Sequence, residues 1–194
     1  MRFYMQKLIS DIEKYIPFNE QEKADKEIIL NWLRKDIDIL TRNNKDAHLT
    51  ASAWVVSPDY KKVLMVYHNI FQSWSWIGGH ADGDSNLLSV AIKEVKEESG
   101  VEHIEILSPD IFSLEVLCVD GHIKKEEYIS SHVHLNITYL LTADPIDKLR
   151  IKPDENSGVE WVDISEVNDR VTEIWIKDRI YSKLLKKAKM YSER

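Results

Sequence analysis

The sequence predicts an α+β (α/β) fold in which a mixed β-sheet packs with helices behind an N-terminal helical extension. Three observations carry that reading. Apolar residues keep helical spacing through residues 1 to about 46, and β-rich runs bounded by turn signals follow. A glycine-rich loop then feeds a single amphipathic helix in the middle of the strands.

In order along the chain, Leu8, Ile12 and Ile16 recur at helical intervals until Pro17 breaks the pattern. Asn19-Glu20-Gln21-Glu22 offers an N-cap with an acid three residues on, opening a second helix through Ile28, Leu30, Trp32 and Leu33. So much apolar surface is expected to pack on the rest of the chain or on a second subunit. We divide the chain into an extension, residues 1–45, and a main domain, residues 46–194. Residues 49–57 and 62–68 read as strands joined at Pro58-Asp59, a hairpin leading into the glycine loop. A helix is expected over about residues 86–99, with Gly100 as its stop. Further strands follow at about 104–107, 111–119 and 133–141, with Asp120-Gly121 as a turn. Residues 151–157 read as a loop, 159–163 as a last short strand and 172–191 as a closing amphipathic helix.

Composition narrows the function. At 194 residues, 43% hydrophobic and 30% charged, the chain suits one domain with an appendage and is too polar for a membrane protein. Apolar runs reach only strand length and the N-terminus carries charges, so no span or signal peptide is read and a cytoplasmic location is expected. The net charge of −7 argues against a nucleic-acid partner and fits an enzyme whose anionic substrate is met by bound cations. Lys183, Lys186, Lys187 and Lys189 read as a solvated helix face that also suits the C-terminal dipole. The one cysteine, Cys118, forms no internal disulfide, and its apolar run IFSLEVLCV reads as buried packing.

The chemistry concentrates in residues 79–101, GHADGDSNLLSVAIKEVKEESGV. On a helix, Glu94, Glu97 and Glu98 stand at i, i+3 and i+4, so three carboxylates share one face. Leu88, Ala91, Ile92 and Val95 fall on the adjoining face and would dock the helix, holding the acids on a packed element. Gly78, Gly79 and Gly83 precede it, where backbone can approach a ligand closely. A Glu-rich face is often merely solvated. The glycines beside this one point instead to a hard-cation site.

Gly79, Lys93, Glu94, Val95, Glu97, Glu98, Gly100 and Val101 together resemble the Nudix box, G-x5-E-x7-R-E-U-x-E-E-x-G-U with U aliphatic, in unbroken register. Two positions depart from it. Ser85 stands where the box has its first glutamate and Lys93 where it has arginine, which leaves out a bidentate fork that lysine does not reproduce. Asp84 is one residue from the missing acid. The resemblance covers about residues 45–169 and implies the Nudix fold, a mixed sheet sandwiched between helices, and hydrolysis of a diphosphate linkage with Mg²⁺ or Mn²⁺. It implies that the Gly79 carbonyl, Glu97 and Glu98 bind metal, that Glu94 binds metal or positions and deprotonates the water, and that Lys93 steadies Glu94 or a phosphate.

Other candidates are less specific. His132, His134 and Asn136 alternate on one strand face, where they line a cleft or form a covered polar face. Glu155, Glu126 and Glu127 occupy places from which this superfamily can bring an extra acid to the metals. Trp74 and Trp76 precede the glycine loop and would stack a base or pack in the core. The expected partner is a small nucleotide-type molecule: a nucleotide sugar, a dinucleotide or a modified nucleoside triphosphate. Added terminal elements build dimer interfaces in some Nudix proteins, so a homodimer is one expectation for the extension. The contrasting function is a catalytically weak Nudix-derived module that binds or senses a nucleotide, and the intact acids favour the enzyme.

Overall fold

The protein, in a computed structural model, is described over residues 2–35, 37–124 and 126–193. Its centre is β1 (Ala47–Val56), buried at every position. β1 turns at Pro58-Asp59 into β2 (Lys62–His68), and short strands β3 (Ser73–Ser75) and β4 (Ile77–His80) lead to α3 (Leu87–Ser99). Beyond it come β5 (Ile104–Ile106), β6 (Ser113–Val119), a hairpin of β7 (His122–Lys124) and β8 (Glu127–Ile129), and then β9 (His132–Ala143) and β10 (Asn156–Asp163). The sheet order is β10-β2-β1-β9-β5, with β3 on β2, β4 on β1 and β6 on β9. β1 and β9 run parallel over ten pairs, from Ala47 with Val133 to Val56 with Thr142, while the other pairings are antiparallel, so the sheet is mixed as expected.

Alternation divides this sheet into two chemistries. Ala47, Leu49, Ala51, Ala53 and Val55 join Leu135, Ile137 and Leu141 in a core shared with Leu87, Val90, Ala91 and Val95 of α3. The N-terminal helices α1 (Arg2–Lys14) and α2 (Glu20–Leu33) add Leu8, Ile12, Ile29, Leu30 and Leu33 to that core. Ile16 and Ile28 are instead exposed, because α1 ends at Lys14 and the buried face of α2 turns on Ile29. The opposite face begins with histidines, continues through Thr50, Ser52, Asn136 and Thr138, and ends in a second core around Trp54, Val56 and Leu140.

That second core is closed by the C-terminal segment. A short α4 (Val167–Arg170) precedes a π-helical turn (Ile176–Tyr181) that runs into α5 (Ser182–Ser192), and Ile180, Tyr181, Leu184 and Ala188 pack inward. The closing helix is therefore interrupted where a uniform one was expected. Lys183 and Lys187 do not lie on a solvated face. Lys183 Nζ reaches Glu115 Oε1 at 2.9 Å and Glu22 Oε1 at 3.2 Å, and Lys187 Nζ reaches Glu22 Oε1 at 3.0 Å.

The extension also covers the free edge of β6. Gln21 Nε2 donates to the Leu114 carbonyl (3.1 Å) and Asp25 Oδ2 accepts from Val116 N (2.9 Å). Side chains thus occupy backbone groups that would otherwise template another strand. Cys118, on the same strand, is exposed rather than buried, although it shares a strand face with Leu114 and Val116 of the core. Among the described residues no helix is long and apolar enough to cross a membrane.

Candidate active site

The glycine loop is built by close approach. A Cβ on Gly79 would stand 2.4 Å from Glu94 Cδ, so β4 and α3 meet at this distance only without a side chain there. The loop that follows is tied to β1 and to the extension's end: Ala81 N donates to the Leu49 carbonyl and Gly83 N to the Leu40 carbonyl, both at 3.0 Å. Arg42 adds a two-point fork on Asp82, Nε to Oδ1 at 2.9 Å and Nη2 to Oδ2 at 2.7 Å. A bidentate fork thus holds this loop, at a different place from the one that the box would supply. Asn86 caps α3, its Oδ1 accepting from Ser89 N, and Gly100 ends the helix at φ +77°.

Packing of α3 separates its acids. Glu94 and Glu98 are buried, the latter 4% exposed, whereas Glu97 faces outward and pairs with Lys93 (3.6 Å) and Lys152 (3.4 Å). The third carboxylate beside Glu94 and Glu98 is Glu155, from the loop entering β10, and oxygens of the three lie within 4.8 Å of one another. Asn156 holds that loop, its Nδ2 donating to the Glu98 carbonyl (3.0 Å) and its Oδ1 accepting from Lys152 N (3.1 Å). Lys152 Nζ, 2.8 Å from Glu155, joins the cluster to Glu97.

Electrostatics follow from this crowding. Burial, then the nearby Glu94 and Glu155, push the Glu98 carboxyl up to about 9, against Lys152 and a hydrogen bond from the Gly78 backbone. Burial likewise raises Glu94 despite Lys152. Three convergent oxygens, two of them from carboxyls that resist ionising, suit a hard divalent cation, which would replace the protons.

The other expected residues scatter. Lys93 is joined to Glu97, and among the described residues no bond links it to Ser85. Glu126 sits in the β7–β8 turn at φ +66° and is not one of the three carboxylates that gather with Glu155. Trp76 is buried edge-on against Tyr181 and belongs to the second core, whereas Trp74 is half-buried between Tyr67 and Arg170. Asn136 lies in a covered polar network: its Oδ1 accepts from Thr50 and Ser52, and its Nδ2 donates to Glu115. His132 and His134 join His48 and His80 in a ring cluster on that same face. Burial, then His80, His48 and His132, hold His134 down at about 2. Sequence reading missed Lys152, Arg42, His48 and His80; of these only Lys152, three residues before Glu155, carried a local signal.

The sequence pattern of the NUDIX domain matches residues 46–184. The chain belongs to the NUDIX family. As a Nudix protein it is a pyrophosphohydrolase, an enzyme of acid anhydrides. Its fold is similar to that of a C. elegans Ap4A hydrolase, with 17% identity, 74% of this chain and 96% of the other covered, and a TM-score of 0.52. It is equally similar to the E. coli dihydroneopterin triphosphate pyrophosphohydrolase, at 13% identity, 71% and 95% coverage and a TM-score of 0.52. A Nudix hydrolase from M. smegmatis, RenU, aligns at 11% identity over 80% of this chain and 96% of its own, with a TM-score of 0.51. No curated protein matches the sequence. The Nudix match leaves α1 and α2 outside it.

Proposed function

We propose that this Nudix protein hydrolyses the diphosphate linkage of a nucleoside diphosphate derivative: a nucleotide sugar, a dinucleotide or a modified nucleoside triphosphate. The observation that supports it is the meeting of Glu94, Glu98 and Glu155 beneath the Gly79 backbone. The Gly79 carbonyl, Glu94, Glu97, Glu98 and Glu155 would hold Mg²⁺ or Mn²⁺. When bound, such an ion supplies neutralisation of the phosphate charge and a more acidic water. Glu94, held beside the Gly79 backbone, would share in holding the ion or would orient the water and take its proton. Lys152 leaves one fixed positive charge where the substrate phosphates approach the acids. Lys93 keeps Glu97 extended at the outer side of the cluster. The half-buried Trp74 ring is the candidate to stack on a base, and Trp76 is not.

The test is formation of the two cleavage products, a nucleoside monophosphate with a sugar phosphate, a second nucleotide or pyrophosphate, from ADP-ribose, other nucleotide sugars, dinucleoside polyphosphates and modified nucleoside triphosphates, with Mg²⁺, with Mn²⁺ and with neither. Hydrolysis of one class, dependent on the divalent ion, is expected. Tight substrate binding without turnover under any metal would assign the protein to recognition instead. Calorimetry showing no Mg²⁺ or Mn²⁺ binding would remove the proposal altogether.

A further inference from the structure

The face of the sheet turned away from α3 carries a second set of ligand-type side chains. β1–β9 register pairs His48 with His134, and β4 sets His80 opposite Thr50, two residues further along the same face. The three rings form a near-regular triangle, with centroids 5.1 Å apart for His48–His80 and 5.0 Å for both His48–His134 and His80–His134. One ligand atom from each lies within 4.8 Å of the others.

Hydrogen bonds assign the lone pairs. His48 Nδ1 lies 3.0 Å from the Asn44 carbonyl, an acceptor only, so Nδ1 carries the proton and Nε2 the lone pair. That Nε2 is buried without a hydrogen-bond partner in a residue only 4% exposed. A buried orphan acceptor facing other imidazoles is unsatisfied by protein and suited to a cation. His132 is oriented by the same device, its Nδ1 donating to the Ser130 carbonyl at 2.8 Å. Its Nε2, 3.1 Å from His134 Nε2, then accepts the proton of His134 and leaves His134 Nδ1 as a donor atom for metal. An imidazole ligand whose other nitrogen donates to a carbonyl or a neighbour is the usual arrangement around a bound transition metal.

We infer that His48, His80 and His134 form a transition-metal site, for Zn²⁺ or an ion of like preference, on the opposite face of the sheet from the acidic cluster. Neutral nitrogen donors select such ions, whereas Mg²⁺ prefers the oxygen set of Glu94, Glu98 and Glu155. Bonds of about 2.0–2.1 Å require the rings to turn inward from their present spacing. Three imidazoles leave a fourth position for water or an anion, and half-buried His80 and His134 leave a route in from solvent. The ion would clamp β4 to β1 and β9 next to the Gly79 backbone. The site does not depend on what the acids do, and its test uses no turnover.

The probe is Co²⁺, added to metal-stripped full-length protein and followed by its visible d–d absorption. A single equivalent of strongly absorbing, four-coordinate Co²⁺ is expected with the acid cluster filled by excess Mg²⁺, and it should be displaced by Zn²⁺. His48→Gln and His134→Gln should weaken Co²⁺ binding about a hundredfold or more, since a ligand is lost where even outer-shell changes cost about 10- to 100-fold. Glu98→Gln should alter it less than about threefold, being on the other face. Circular dichroism checks each fold, and if His48→Gln does not fold, His80→Gln at a half-exposed position makes the same measurement. Unchanged Co²⁺ affinity in the folded histidine variants, displacement by Mg²⁺, or loss of the spectrum in Glu98→Gln would each overturn the assignment.

Discussion

Two groups of buried glutamates sit in this molecule under opposite charge balance. At the end of α3, Glu94, Glu98 and Glu155 converge with the Lys152 ammonium beside Glu155, and burial drives the Glu98 carboxyl up to about 9. Between α2, β6 and α5, Glu22 and Glu115 meet Lys183 and Lys187. Burial also pushes Glu22 up, but Lys183, Lys187, the Tyr15 hydroxyl and the Phe18 backbone outweigh it and hold the carboxyl at about 2. Glu115 Oε2 receives Asn136 and Thr138, both at 2.8 Å, so that network is closed within the protein. The same residue type is thus structural where the chain supplies its cations and poised for a ligand where it does not.

The largest expected effect breaks the closed group. Lys183→Met should cost about 3–5 kcal/mol in urea unfolding, because a buried charge is left without its partner. Pairing it with Glu115→Gln should recover part of that loss, and a cost below about 1 kcal/mol would mean that the network behaves as a surface pair. At the open group the same kind of change should act differently. Glu98→Gln should leave metal-free stability at pH 8 equal or higher, since the amide is buried neutral without taking up a proton, while turnover falls at least about a hundredfold from loss of a metal ligand. Undiminished turnover would place the chemistry elsewhere.

The two groups should also titrate with opposite signs. Glu98 has its pKa raised from 4.5 to about 9, so between those values the folded protein keeps a proton that the unfolded chain has released. Its effect is that metal-free stability declines as pH rises from about 5 to 9, and saturating Mg²⁺ should flatten the decline. Glu22 is lowered from 4.5 to about 2, so its stabilisation is present above 4.5 and lost as pH falls toward 2. Thermal melts across pH, with and without Mg²⁺, check both limbs, and a flat alkaline limb in metal-free wild type would contradict the state assigned to Glu98. The smallest effect belongs to the exposed fork on the loop. Arg42→Gln should change stability by less than about 1 kcal/mol, so any larger fall in kcat/KM reports the loop's positioning. Unchanged kcat/KM would leave that positioning to the backbone bonds at Leu40 and Leu49.

Much of this was legible along the chain. The helix read over 86–99 is Leu87–Ser99 with its cap at Asn86, the strand Lys62–His68 coincides with β2, and Asn19 caps α2 as its pattern suggested. Glycine at 79 signalled a close approach, which proves to be toward Glu94. β3 and β4 were too short for alternation to show, and the π turn before α5 shifts a helical face without any residue type marking it. Lys183 and Lys187 were misread because a lysine on an amphipathic helix is normally solvated, and only the acids of α2 and β6 reverse that expectation.

By itself the sequence determined the family, the spacing that puts Glu94 and Glu98 one turn apart, and the caps and glycines that start and stop their helix. These are properties of neighbours within a few residues, where the backbone's 3.6 and 2.0 periods fix which side chains share a face. Tertiary structure alone decided that Glu155 rather than Glu97 joins Glu94 and Glu98, that α2 covers the β6 edge, and that histidines from β1, β4 and β9 meet. Each of those depends on strand register or helix docking between segments far apart in the chain, and no local period encodes which distant partner a face will find.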